Sequence, residues 1–141
     1  MTNTGTAREI RVASARRGGR AANAALWALQ ALLALAFAMA GLAKLGGEQA
    51  MVEMFATIGV GQWFRYVVGA LEVSGAVGVL IPRLSGLAAL GLVCLMAGAT
   101  LANLFVLGAS PVLPICLLVA SAVVAFGRRP RTGAPKGSAR R

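Results

Sequence analysis

Residues 25–45 read ALWALQALLALAFAMAGLAKL. The one polar interruption before Lys44 is Gln30. With the flanking Ala24, the stretch is long enough as a helix to cross about 30 Å of hydrocarbon. A secretory signal is the competing reading, because Ala38-Met39-Ala40 resembles a cleavage site. The apolar part of such a signal runs only about 7–15 residues, so length favours an uncleaved membrane span.

The rest of the chain agrees. Its 141 residues are 58% hydrophobic and 13% charged, with a mean hydropathy of +0.78. A soluble domain is about 45–50% apolar, with about a quarter of its residues charged. No segment alternates apolar and polar residues over a strand length, which leaves a β-barrel unsupported. The predicted fold class is all-α, a bundle of four transmembrane helices over residues 23–127, with spans at about 24–45, 66–82, 84–107 and 111–127. Between spans 1 and 2, Met51, Met54, Phe55 and Ile58 recur at helical spacing, with Glu48, Gln49, Glu53 and Thr57 mostly opposite. That pattern predicts a short amphipathic helix lying in the membrane interface, ended by Gly59 and Gly61. Trp63, Phe64 and Tyr66 follow as an aromatic cluster at headgroup level, and Trp63, Tyr66 and Arg83 are read as interface anchors. Ser110 is a plausible N-cap with Pro111 at the first helical position, whereas Pro114 predicts an irregular first turn. Residues 1–22 and 128–141 are basic, lack an apolar face and are read as disordered cytoplasmic tails.

A net charge of +10 suggests nucleic acid until the charges are placed. Arg8, Arg11, Arg16, Arg17 and Arg20 precede the first apolar run; Arg128, Arg129, Arg131, Lys136, Arg140 and Arg141 follow the last. They flank spans, where they set orientation and touch anionic headgroups, and no aromatics interleave with them. Nucleic acid is therefore not an expected partner; the lipid bilayer is. Twelve basic residues fall on the side of the two termini, counting Arg83, against only Lys44 and Arg65 on the other. The positive-inside rule then puts both termini in the cytoplasm and the amphipathic helix outside. There is no histidine, and the two cysteines, Cys94 and Cys116, sit far apart in apolar segments. No metal site and no intrinsic cofactor are expected, and no catalytic residue can be named.

One carboxylate stands out. In GALEVSGAVGVLIPR, residues 69–83, Glu72 has no charged neighbour within one helical turn. A carboxylate facing lipid costs about 2.5–3.5 kcal/mol even on insertion scales, so an inward orientation is expected. Gly69, Gly75 and Ala76 share its face and allow another helix to approach closely. Lys44, at the outer end of the first span, and Arg65, seven residues before Glu72 on the same helix face, are candidate partners. Asn103 is the expected hydrogen-bond partner, with Thr100 one turn away. Glu72, Lys44, Arg65, Asn103 and Thr100 form the candidate polar cluster; the bland alternative is an inert packing device. Gln30 is read as a bond between helices.

The stretches GLAKL at 41–45, GALEVSGAVGVLIPRLSGLAALG at 69–91 and LMAGATLANLF at 95–105 resemble the DoxX and DoxX-like membrane proteins over roughly residues 25–127. The resemblance implies a four-helix, multi-pass protein of the bacterial inner (cytoplasmic) membrane and singles out Lys44, Glu72 and Arg83. Some relatives are linked to thiol, sulfur or quinone redox assemblies. A small membrane subunit of such an assembly, not a self-sufficient enzyme, is the expectation it carries. A quinone or lipid-like ligand and a partner oxidoreductase would then supply the redox chemistry, with self-association left open. Similar proteins often carry a histidine where this chain has Asn103, and asparagine cannot shuttle a proton near neutral pH. Two other functions fit the residues: a small proton-coupled exporter and a non-catalytic membrane assembly or interaction factor.

Overall fold

A computed structural model describes the backbone of residues 4–129 and the side chains of Glu9 and of residues 17–129. Among the described residues every regular element is helical. Helix α1 spans Thr4–Gly46, α2 Gln49–Ile58, α3 Gln62–Leu80, α4 Ser85–Ala102 and α5 Val112–Gly127. A π-helical turn, Asn103–Leu107, prolongs α4.

The largest departure from expectation is at the start. Residues 4–22, read as a disordered tail, continue α1 back to Thr4. The membrane span already supplies a helical nucleus, and propagation through an Ala- and Arg-rich, proline-free segment avoids the nucleation cost. At 43 residues α1 is about 64 Å long, roughly twice the hydrocarbon thickness. Residues 1–3, and the predicted C-terminal tail from residue 130 on, lie outside the described residues.

Among the described residues, three helical segments are long and apolar enough to cross a bilayer: Arg17–Gly46, Gln62–Leu80 and Ser85–Leu107. Helix α5 is apolar throughout, but its 16 residues reach about 24 Å, short of a full crossing without local thinning. Helix α3 begins at Gln62, four residues earlier than expected, so Trp63, Phe64 and Tyr66 occupy its first two turns. Trp63 and Tyr66 are exposed there. Pro114 does not disturb α5, which is regular from Val112. It stands at the third helical position, where a missing N–H costs no intrahelical bond.

The bundle is apolar on its perimeter as well as in its core. Large apolar side chains such as Leu32, Leu35, Leu87, Phe105 and Leu113 are exposed on its perimeter. A soluble protein rarely tolerates so much contiguous apolar surface. Inside, Leu33, Phe37, Ala76, Val79, Leu92, Met96 and Val124 form one core. Helix α1 packs on α3, α4 on α5, and α3 on α4.

Helices α1 and α3 meet backbone to backbone. A Cβ placed on Gly41 would lie 2.8 Å from the Gly69 carbonyl oxygen, and one on Gly69 3.0 Å from that of Gly41. Two glycines thus let the backbones touch, as small residues do at membrane helix crossings. Lys44 and Glu72 each lie three residues beyond one of these glycines, on the same helix face.

The other end of the bundle is tied by Gln30, which is fully buried. Its amide donates to the Val79 carbonyl, and its oxygen accepts from Arg128 Nε at 2.8 Å. Arg128 also donates to Asn23 Oδ1 at 2.9 Å and lies over the Trp27 ring at 5.1 Å. One side chain therefore joins α1, α3 and the end of α5. Replacing Gln30 by leucine strands a buried carbonyl and a guanidinium N–H, and is expected to cost about 1–3 kcal/mol. Detergent-resistance midpoints of purified wild type and Gln30→Leu measure it; equal midpoints would show the bonds carry no net stability.

Candidate functional site

Glu72 turns inward. It is 3% exposed, on the α3 face that packs against α1. Lys44 Nζ lies 2.8 Å from Oε2 and donates a hydrogen bond to Oε1 at 3.0 Å. Apart from that charge contact, Oε2 accepts no hydrogen bond among the described residues. A weaker contact, 3.5 Å from Nζ to the Ala40 carbonyl, steadies the lysine along its own helix. The helices run antiparallel, so Lys44 and Glu72 lie on opposite sides of the Gly41–Gly69 crossing, and each side chain leans back toward its helix N-terminus to meet the other over it.

Arg65 does not join Glu72. It is 4% exposed, yet its Nη1 donates to the Lys44 carbonyl and its Nε to Gln62 Oε1 at 2.8 Å. Its guanidinium also lies over the Tyr66 ring at 4.3 Å. Seven residues along a helix restore the azimuth but add about 10 Å of height, and helical side chains lean toward the N-terminus, away from Glu72. The arginine caps the C-terminal end of α1 instead, where a cation complements the helix dipole.

Asn103 is not a hydrogen-bond partner of Glu72 either. Its Nδ2 donates to the Ser110 carbonyl at 2.9 Å. The π-helical turn and the left-handed Gly108, at φ 58°, fold that carbonyl back within local reach. Thr100 donates to the Met96 carbonyl one turn earlier, at 2.7 Å. Such back-bonding satisfies a hydroxyl without any ligand. Arg83 is exposed in the turn between α3 and α4, away from the pair.

The structure brings Glu72, Lys44 and Asn103 together in another way, as parts of the wall of one cavity of about 510 Å³. Such a volume suits a small organic molecule or an acyl chain. Phe37, Val68, Met96 and Leu117 supply apolar wall from four helices, and α2 closes one side with Met51, Met54, Phe55 and Ile58. The methionines make that wall adaptable. Thr100 and Arg65 do not line it. Sequence reading missed the role of α2: its apolar face was visible, but the protein surface it covers was not. It also missed Gln62, whose amide donates to the Val52 carbonyl at 2.9 Å. The only signal was a polar residue ahead of an aromatic cluster. Cys94 also lines the cavity, and both it and Cys116 are free thiols.

Chemically, the site offers an ammonium and a carboxylate, paired, at the edge of an apolar space. It can receive an amphiphile whose polar head exchanges hydrogen bonds with the pair. The model of the DoxX-like family matches residues 28–126, which hold the cavity's lining and the Gly41–Gly69 crossing. No curated protein and no solved structure shows a significant match. The chain belongs to the DoxX-like family and is a multi-pass membrane protein.

Proposed function

We propose that the protein is a small membrane subunit of a thiol-, sulfur- or quinone-linked redox assembly, which binds a quinone or lipid-like ligand beside Glu72 and Lys44. In this reading α5 is a fourth span, both termini are cytoplasmic and α2 lies on the outer face of the bacterial inner membrane. The charge asymmetry, with twelve basic residues on the side of the termini, supports that orientation. Trp63, Tyr66 and Arg83 then anchor the bundle at the two interfaces.

The observation that carries the reading is the buried ion pair on the wall of an apolar cavity. A pair that served only packing would be an expensive device, since desolvating two charges offsets much of their attraction. Intramembrane ionisable residues are functional by default. With no histidine and two separated cysteines in the chain, the electron carrier comes from a partner oxidoreductase or the lipid pool. The cavity binds and orients; the partner reacts. The exporter reading is weaker, because an ammonium 2.8 Å from the carboxylate repels a cationic substrate.

Removing the negative charge while keeping the shape tests this. Glu72→Gln is expected to weaken binding of decylubiquinone by about tenfold or more, because the carboxylate holds in place the Lys44 ammonium that donates to a quinone carbonyl. Isothermal titration of full-length protein in nanodiscs, with native mass spectrometry for co-purifying partners, provides the readout. A variant that matches wild type in both ligand affinity and partners counts against the proposal.

A further inference from the structure

Helix α2 has the build of a lid. It is ten residues long and lies between Gly47 at φ 72° and Gly59 at φ 79°, left-handed positions that suit glycine. A third such residue, Gly61 at φ 103°, precedes α3. The apolar face of α2 closes the cavity, while Gln49 and Glu53 pair with each other at 2.8 Å on its exposed side.

Helix α2 packs on α3, on the Asn103–Leu107 turn and on α1, and two of its contacts with α3 side chains are specific. Phe55 meets the edge of the Phe64 ring at 5.9 Å, and Gln62 Nε2 donates to the Val52 carbonyl at 2.9 Å. The second contact does not end there. Gln62 Oε1 accepts from Arg65 Nε at 2.8 Å, and Arg65 Nη1 donates to the carbonyl of Lys44. Lys44 is the residue whose ammonium holds Glu72. A relay of hydrogen bonds thus runs from the backbone of the lid, through one amide and one guanidinium, to the backbone of the ion pair's cationic member.

We propose that α2 opens to admit a membrane-dissolved amphiphile from the outer leaflet, and that Gln62 and Arg65 are the latch coupling its closure to the placement of Lys44. The entry side follows from exposed Trp63 (61%) and Tyr66 (49%), which put the α2–α3 corner at headgroup depth. The substrate class follows from the walls: an apolar body with one polar head. Gln62 and Arg65 are positioning residues, since neither touches Glu72. The proposal rests on the ligand-binding reading of the cavity, and its test keeps the two separable.

The test uses full-length protein in nanodiscs of phosphatidylethanolamine and phosphatidylglycerol. Hydrogen exchange of residues 49–58 reports the lid, and stopped-flow binding of decylubiquinone reports entry. Gln62→Leu removes both halves of the latch and is expected to speed exchange and probe association roughly three- to tenfold, the effect of one net hydrogen bond. Gln62→Glu separates the halves, because a carboxylate still accepts from Arg65 but cannot donate to the Val52 carbonyl. It is expected to speed exchange like the leucine variant while keeping probe affinity within about twofold, a split that simple loss of structure does not produce. Unchanged exchange and association in Gln62→Leu, with decylubiquinone still bound, overturns the lid and leaves the site intact. Amides of α2 already unprotected in the wild type overturn it as well. Faster exchange with no probe binding to any form supports the latch and overturns the ligand reading beneath it.

Discussion

Lys44→Met is expected to destabilise the protein by about 3–5 kcal/mol, the cost of leaving a buried charge without its partner. The carboxylate is 3% exposed, and within the described residues Lys44 is its sole ion-pair partner. Methionine keeps the length of the lysine stem and adds no charge, so packing against α3 is largely preserved. The double variant Lys44→Met with Glu72→Leu removes both charges together. It is expected to regain most of the loss, because an apolar pair avoids the desolvation that the ion pair suffers. Denaturation midpoints in detergent for the four proteins of this double-mutant cycle give the coupling directly. Additive effects, with the double variant no better than the worse single one, would mean that the two charges do not depend on each other.

Gly41→Val is expected to be nearly as damaging, at about 3 kcal/mol, the upper part of the range for overpacking. Even a methyl group there meets the Gly69 carbonyl oxygen at 2.8 Å and a Val73 methyl at 2.7 Å. The backbone oxygen cannot rotate away as a side chain can, so α1 and α3 must separate. Separation has a second consequence, since the crossing brings Lys44 to Glu72. The same substitution should therefore lower probe affinity as strongly as Glu72→Gln. Stability and affinity falling together is the signature; lost stability with unchanged affinity would show that the crossing and the pair are independent. Gly91, which has open space around the added Cβ, serves as the control.

Why the helices were legible and the contacts were not is a matter of what periodicity encodes. Apolar runs of spanning length have few alternatives to a membrane helix, and the spacing of Met51, Met54, Phe55 and Ile58 revealed one face of α2 before any neighbour was known. Periodicity gives azimuth around a helix. It gives neither height relative to the next helix nor the identity of that helix. Arg65 and Glu72 share an azimuth, yet only Lys44 reaches the carboxylate, because the glycine crossing sets the vertical register between α1 and α3. Asn103 was placed at the right depth, and it does line the cavity. A local bond to the Ser110 carbonyl, created by a π-helical turn with no clear sequence signature, took the amide that Glu72 was expected to use. The N-terminal part of α1 has no apolar face to signal it in the sequence, yet an adjoining span can seed a polar helix. The cavity itself belongs to no single element, since its walls come from all five helices.

The most direct test of the account is where a bound amphiphile touches the chain. A quinone carrying a photoactivatable diazirine, bound to the full-length protein in nanodiscs and mapped by mass spectrometry, should mark Met51, Met54 and Leu117, with labelling suppressed in Glu72→Gln. Labels confined to perimeter residues such as Leu32, Leu87 and Phe105, and indifferent to Glu72, would show that the buried pair guards no binding site.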